Sequence, residues 1–430
     1  MNKKITLINV HSSCNAGDEA LTQVAIDQLR EQFPESLVTL IMNDPTSHRG
    51  DEQTVLSFLS WINHPGGRPV VRFAWLVFLC LIPLITLRFF HNALYLPFSK
   101  DIQKSIKTLI DSDMIVGTPG GYFYSYGKGR AFIYLSFTMA VGLLAGKPLY
   151  LLPQSYGPLQ FARERALARW LLSRARVVMA REPVSLEFLE SIGVENPNTY
   201  VLPDMAFAFK GTSPASGADW LIGRRINPHT DRPLLGMTVI DWGAQYRGFS
   251  NQEKYEEVMA AAIRHFVNEY NGKVFLFPQS WGPTPAEDDR IPSKRVADRV
   301  PELKSSIIFV DEPLAAGLLK SIYGHADIFI GTRMHSNIFA MTGYVPLIAI
   351  GYLHKTIGIA RMAGIEKWVA NIREIDKQDL NQILDQLWIN RDNVHSQLEK
   401  MIPRLAEETK QAGSIIAQDF EIYSKGKSHA

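Results

Sequence analysis

The chain has 430 residues, a length that predicts two or three domains rather than one. Hydrophobic residues make up 46% of it and charged residues 20%, which is typical of a globular protein and excludes wholesale disorder. The net charge of +2 is too small for a general nucleic-acid binder, and the two cysteines, Cys14 and Cys80, exclude a disulfide framework and a cysteine zinc site.

Short β-rich runs alternate with helical stretches, a pattern that predicts parallel sheets covered by helices. The first apolar run, 5–10, is too short for a signal peptide, so we predict a strand there and a cytoplasmic protein. The other predicted strands are 38–42, 114–117, 149–152, 177–180, 235–240, 273–278, 307–310, 327–331 and 347–350. The predicted helices are 19–32, 132–144, 163–173, 184–192, 254–269, 314–324, 336–342 and a last one around 399–423.

An apolar insert lies in the first half. Residues 73–87 carry no charge, include Pro83, and are fewer than the roughly 20 residues that a membrane span needs. We therefore predict that the segment does not cross a membrane. Two interpretations stand: a buried helix pair, or a peripheral element that contacts the inner face of the membrane with Trp75, Phe89 and Phe90 near the headgroups.

Glycine, serine and proline at 210–217 predict a linker between two α/β halves. We predict a first Rossmann-like domain over 1–210 with the apolar insert near 70–98, and a second over 211–395. The remaining 396–430 is predicted as a C-terminal helix, free to cross back to the first domain, and a tail.

One short motif occurs twice. The residues 152–158 reappear in closely similar form as 277–283, each directly after an apolar strand. Ligands bind beyond the carboxyl ends of strands in open α/β sheets, so we predict that two facing domains line a cleft with these loops. The residues concerned are Gln154, Ser155, Gln279 and Ser280. The alternative is that proline and glycine merely end the strands.

The loop between the first strand and the first helix contains Asn15, Gly17, Asp18 and Glu19. Glycine permits a tight turn, and the helix that follows aims backbone N–H groups at an anion. We interpret Glu19 as a structural cap and Asp18 as the candidate functional carboxylate. The pattern G-x-G-x-x-G is absent, which disfavours nicotinamide binding.

A glycine pair, Gly120 and Gly121, follows the strand 114–117. Paired glycines let a ligand approach the backbone closely, or make a plain turn. The histidines are scattered without ligand spacing, so we predict no metal site.

Arg333 and His335 form a compact cationic motif after the strand 327–331, and Lys355 follows the next strand. Arginine grips carboxylate or phosphate bidentately, and histidine can transfer a proton near neutral pH. A small trianionic substrate suits this corner; the alternative is a solvated surface cluster.

At these residues the chain resembles the polysaccharide pyruvyl transferase family, from about residue 7 to about residue 370. The motifs that carry the resemblance are 15–19, 120–121, 153–158, 180–185, 333–335, 343–346 and 352–355. The resemblance implies a GT-B-like fold of two Rossmann-like domains and phosphoenolpyruvate as donor, with no further cofactor. It also implies transfer of pyruvate as a cyclic ketal onto two hydroxyls of a sugar in a polysaccharide or a lipid-linked oligosaccharide precursor.

The resemblance also assigns roles residue by residue. Arg333 and Lys355 match the donor-anion residues, and Arg181 matches a further basic one. His335 matches the histidine that protonates the enol methylene carbon, and Asp18 is the candidate acceptor of a hydroxyl proton. The sugar, its hydroxyls and the oligomeric state stay open.

Two other functions are the alternatives. A sugar-nucleotide-dependent glycosyltransferase on the same fold would use Glu366 and Glu374, but a predicted strand between them separates the two carboxylates. An inactive membrane-associated polysaccharide-assembly protein would not need the clustered cations Arg333, His335 and Lys355.

Overall fold

The computed structural model describes residues 2–125, 130–245, 249, 251–351 and 354–428. The chain forms two compact units. Unit 1 comprises Met1–Ser13, Leu21–Met205 and Thr409–Ala430, and unit 2 comprises Cys14–Ala20 and Ala206–Glu408. The division therefore lies between Met205 and Ala206, whereas the sequence placed it at 210/211, and a short N-terminal segment groups with unit 2.

Unit 1 is built on a parallel sheet, with eight strands in the part of the chain that the structure describes. The strands are β1 (Lys4–Val10), β2 (Leu37–Met42), β3 (Gln53–Leu56), β4 (Met114–Gly117), β5 (Gly120–Ser125), β6 (Leu149–Leu159), β7 (Val177–Ala180) and β8 (Thr199–Val201). The order is β3-β2-β1-β4-β6-β7-β8, and β5 pairs with β6. The helices are α1 (Ala16–Gln32), α2 (Phe58–Asn63), α3 (Pro69–Phe90), α4 (Lys100–Asp111), α5 (Ala131–Leu144), α6 (Ala162–Leu172) and α7 (Pro183–Ser191).

Unit 2 is built on a second parallel sheet. Its strands are β9 (Leu234–Thr238), β10 (Lys273–Phe277), β11 (Ile307–Phe309), β12 (Ile328–Gly331), β13 (Leu347–Gly351) and β14 (Val369–Asn371), in the order β11-β10-β9-β12-β13-β14. The helices are α8 (Pro214–Gly223), α9 (Trp242–Gln245), α10 (Gln252–Tyr270), α11 (Arg290–Ala297), α12 (Ala316–Tyr323), α13 (Met334–Thr342), α14 (His354–Met362) and α15 (Lys377–Ser428). Numbered within unit 2, the strand order is 3-2-1-4-5-6, that of a Rossmann-like domain.

The strands form where apolar runs are covered by helices on both faces. Every residue of β4 and β12 is buried, as expected for central strands of a parallel sheet. All ten predicted strands are confirmed, with ends that differ by a few residues except in β6, which is much longer than predicted. In both sheets the strand order reverses beside the first strand, at β1/β4 and at β9/β12, and such reversals are where α/β sheets bind ligands.

Two predicted loops are strands instead. β6 does not end at residue 152 but continues to Leu159, because β5 provides a partner: Gly120 pairs with Gln154, and Phe123 with Tyr156. The glycine pair at 120–121 accordingly opens β5 rather than a loop. Gly120 has a φ of +136°, a backbone conformation that other residues rarely adopt.

The apolar insert also differs from its prediction. It forms one helix, α3, that continues through Pro83, so the predicted helix pair is wrong. The helix has 22 residues, about 33 Å at 1.5 Å per residue, because residues outside 73–87 extend it. In the described part of the chain this is the one helix long and apolar enough to cross a membrane, by length and composition alone. The length argument against crossing was therefore wrong.

Two further predictions are corrected. The predicted linker 210–217 overlaps α8, which begins at Pro214. The last helix begins at Lys377, well before the predicted 399, and runs through to Ser428. Its residues up to Glu408 group with unit 2 and those from Thr409 with unit 1.

Candidate functional site

Arg333 and His335 lie at the carboxyl end of β12, where the strand order of unit 2 reverses. Arg333 is the N-cap residue of α13, and His335 lies in the first turn. Thr332 ties the ends of β12 and β9 together: its amide donates to Thr238 Oγ1 at 3.0 Å and its hydroxyl donates to the Thr238 carbonyl at 2.8 Å. The loop that carries both cationic residues is therefore held at a defined position.

Gly17 is in direct contact with His335. A Cβ added to Gly17 would lie 2.2 Å from His335 Nδ1 and 2.4 Å from its Cγ, distances that no real side chain could accept. Only glycine lets the imidazole pack against the first turn of α1. The structure thus brings together two residues that the sequence singled out in separate motifs.

Within unit 2, backbone pairing fixes the position of the segment around Gly17. The Ala16 amide donates to the Gln279 carbonyl at 2.9 Å, and the Trp281 amide donates to the Cys14 carbonyl at 3.0 Å. Asn15 forms an antiparallel bridge with Ser280, and its side chain accepts from the Gly17 amide at 2.9 Å. Asn15, Gln279 and Ser280 therefore hold the first turn of α1 beside the β12–α13 loop.

Asp289, which the sequence did not single out, binds Arg333 in a bidentate ion pair. Arg333 Nη2 lies 2.6 Å from Oδ1, and Nε lies 3.1 Å from Oδ2. The carboxylate also accepts from the amides of Gln279 and Ser280, at 3.2 and 3.0 Å. No local signal marks Asp289, because it lies 44 residues from Arg333 in the chain.

Two opposing effects set the pKa values of this pair: burial, which disfavours a charge, and the attraction between the two opposite charges. Burial opposes the charge on Arg333, but the Asp289 carboxylate outweighs it and raises the guanidinium pKa. Burial also raises the pKa of Asp289, against the opposing effect of Arg333. The raised pKa of Arg333 favours the charged pair. The raised pKa of Asp289 opposes it, because it favours the protonated carboxyl. We take the pair as charged, because two guanidinium nitrogens and two backbone amides converge on the carboxylate.

The two carboxylates of the N-terminal loop have different surroundings. Asp18, with Glu287, contributes to the raised pKa of Arg333, so its charge acts at the cationic loop. Glu19 Oε2 accepts from the Ala316 amide at 2.9 Å, at the N-terminus of α12. Glu19 therefore has a structural role, because it caps the N-terminus of α12.

Other predicted site residues, among them Arg181, Ser155 and Gln154, lie in unit 1. Arg181 is 3% exposed and donates to Asp204 Oδ2 at 2.7 Å and to Ser155 Oγ at 2.7 Å. Gln154 is also completely buried, and its backbone carbonyl accepts from the Arg181 amide at 3.1 Å. Arg181 thus has a structural role, and its role towards a donor stays a prediction.

Three more predicted residues remain. The side chain of Lys355 lies outside the described residues, so its role also stays a prediction. The strand β14 lies between Glu366 and Glu374, as expected, so these carboxylates do not share a helix. Among the described residues, no group of three His, Cys, Asp or Glu side chains comes together as metal ligands.

Comparison with known proteins identifies a family and a related protein of similar length. The sequence profile described as polysaccharide pyruvyl transferase matches residues 15–354, more than three quarters of the chain. The amylovoran biosynthesis protein AmsJ of Erwinia amylovora is 24% identical over 429 residues, covering 97% of this chain and 98% of AmsJ.

Solved structures show the fold. The chain is similar to Anabaena HepE in complex with UDP and glucose, with a TM-score of 0.55 and 13% identity over 99% of this chain and 100% of that one. S. aureus MnaA with UDP has a TM-score of 0.59 and 12% identity over 99% and 97%. Sucrose-phosphate synthase from Thermosynechococcus elongatus has a TM-score of 0.55 and 15% identity, and each chain is fully covered. The fold is GT-B-like, with two Rossmann-like domains, as predicted.

Proposed function

The chain belongs to the polysaccharide pyruvyl transferase family, and we propose that it transfers pyruvate from phosphoenolpyruvate onto two hydroxyls of a sugar as a cyclic ketal. One observation carries the proposal: unit 2 gathers Arg333, His335 and the Gly17–Asp18 turn at the strand-order reversal of its sheet. The similarity to the amylovoran biosynthesis protein AmsJ supports a polysaccharide acceptor. We further propose that the acceptor is the polysaccharide or its lipid-linked precursor on the cytoplasmic side.

In this proposal Arg333 binds the phosphate or carboxylate of phosphoenolpyruvate. Its pair with Asp289 uses Nε and Nη2, which fixes the plane of the guanidinium. Such preorganisation limits the entropy lost on binding an anion. Lys355 and Arg181 are proposed as further donor-binding residues.

His335 is proposed as the general acid. It donates a proton to the methylene carbon of phosphoenolpyruvate, which leaves an oxocarbenium-like centre at the adjacent carbon. A sugar hydroxyl adds to that carbon and its proton passes to a base, with Asp18 as the candidate. Phosphate then leaves with its oxygen, and the second hydroxyl adds to the same carbon and closes the ketal. The proton of the second hydroxyl restores His335, and the proton held by the base leaves with phosphate. The products are one ketal and one phosphate.

A direct test is incubation of the purified protein with phosphoenolpyruvate and saccharides extracted from cells that produce the protein. We expect the molar amount of phosphate released to equal that of the sugar-bound ketal methyl groups seen in the NMR spectrum. His335→Gln should abolish both products. Phosphate release without ketal formation, or sugar transfer from a nucleotide, would refute the proposal.

A further inference from the structure

Helix α3 exposes an apolar face along its whole length. The face residues follow one another at intervals of three or four, the spacing of a single side of a helix. They are Val71, Trp75, Phe78, Leu81, Ile85 and Phe89, and are hereafter called the α3 face. Exposure of the side chains ranges from 39% at Trp75 to 73% at Phe89. A helix side that faces water is normally polar, and a contiguous apolar surface marks a binding site.

The opposite side of α3 is packed into unit 1. Leu76, Leu79 and Cys80 belong to its hydrophobic core, and Pro83 is buried as well. Phe73 packs against the ring of Tyr134 with centroids 5.0 Å apart. The helix is thus attached along its length to the folded unit, and whatever covers the α3 face meets it from outside.

The stretch of sequence that contains α3 carries charge of one sign. Between Glu52 and Asp101 the sequence contains no acidic residue, although acidic and basic residues nearly balance over the whole chain. The cations of this stretch are Arg68, Arg72, Arg88 and Lys100. A second copy of the chain would bring these like charges together, whereas anionic lipid headgroups would neutralise them.

Exposed aromatic rings accompany the α3 face. Trp75 and Phe78 stack on each other with centroids 5.2 Å apart. Beyond the face, Phe90 is 74% and Phe98 57% exposed. Aromatic side chains with nearby arginine and lysine are typical of helices that lie at a membrane interface.

We propose that the α3 face binds the surface of an anionic phospholipid bilayer, with the helix lying in the plane of the interface rather than across it. The helix is long enough to span, but spanning would remove its buried side from the core of unit 1. This site is independent of the proposed transfer chemistry, and it would hold the protein where lipid-linked saccharides are found.

The test is flotation of the full-length protein with vesicles of phosphatidylethanolamine and phosphatidylglycerol, and with vesicles of phosphatidylcholine. We expect binding to the anionic vesicles that alkaline carbonate reverses. Phe78→Glu and Phe89→Glu should each weaken it at least about tenfold, because a carboxylate is costly in an apolar interface. Ile389→Glu, at a residue 78% exposed on α15, is the matched control and should leave binding unchanged.

Each other outcome overturns the proposal. Equal binding to both vesicle types would show that the anionic headgroups are not needed. Binding that resists alkaline carbonate would show that the helix spans the bilayer. A wild-type dimer that Phe78→Glu dissociates would identify a second copy as the occupant. Absence of vesicle binding by wild type that melts normally would reject the site outright.

Discussion

Gly17 is the residue whose replacement tests the site geometry most locally. Gly17→Ala would push His335 away from the first turn of α1, since the added Cβ overlaps the imidazole. We expect kcat/KM to fall about 10–100-fold, because an ångström of displacement at a reacting group has effects of that size. Gly223→Ala is the control, as no atom of the residues that the structure describes lies within 4 Å of its added Cβ. Equal activity of both variants would show that the contact is irrelevant to catalysis.

The ion pair of Arg333 and Asp289 is a second test at this scale. Asp289→Asn removes the counter-charge of the Arg333 guanidinium, which is 15% exposed, from a pair whose carboxylate is 1% exposed. We expect the free energy of unfolding to fall by about 3–5 kcal/mol. Urea unfolding measures this loss. The exposed pair of Lys294 and Asp298 supplies the control, because Asp298→Asn should cost less than about 1 kcal/mol. A loss below 1 kcal/mol for Asp289→Asn would contradict the structure.

At the scale of elements, Glu19 connects α1 to α12. The N-cap residue of α12, Ala315, has no side chain that could accept a hydrogen bond, and Glu19 Oε2 accepts from the Ala316 amide instead. Glu19→Ala should therefore lower the free energy of unfolding by about 1 kcal/mol, and Glu19→Gln by less. Glu31→Ala, at an exposed position on the same helix, should change it by less than about 0.5 kcal/mol. Equal losses for Glu19→Ala and Glu31→Ala would show that no cap is formed.

Lys320 on α12 gives a pH-dependent prediction. Its ammonium donates to the carbonyls of Phe209 and Lys210, and burial lowers its pKa from 10.5 to about 8. Below pH 8 the amine is charged in the folded and unfolded states, so the cost of burying the charge is fully present. Between pH 8 and 10.5 the Lys320 amine is neutral in the folded protein but still protonated in the unfolded chain. The free energy of unfolding therefore rises with pH in this range.

The measurement compares wild type with Lys320→Met. The stability of the variant relative to wild type should fall by up to about 3 kcal/mol as the pH rises from 8 to 10.5. The same comparison with Lys294→Met, at an exposed residue, should show no such trend. A difference for Lys320→Met that stays constant with pH would mean that the amine is not desolvated.

At the scale of the whole molecule, the sequence predicted features that depend on neighbouring residues but not those that depend on contacts between distant ones. Buried apolar runs such as β4 were recognisable, and so was the loop that carries Arg333 and His335. Asp289 was missed because its partner is distant in the chain and only the fold brings the two together. β6 was predicted too short because β5, which extends it, pairs with it only in the sheet. One of the two interpretations of the apolar insert, a helix pair, was wrong because Pro83 usually ends a helix, but here the proline is buried within α3.

The central claim is that Arg333 belongs to a phosphoenolpyruvate site, and thermal unfolding with ligands tests it most directly. A ligand that binds only the folded protein raises its Tm. Phosphoenolpyruvate should raise the Tm of wild type and of the exposed control Arg404→Ala, but not of Arg333→Ala, each compared with its own unliganded Tm. Uridine and guanosine nucleotides should raise none of them. A shift with nucleotide alone would make the protein a glycosyltransferase, and no shift with any ligand would favour an inactive assembly protein.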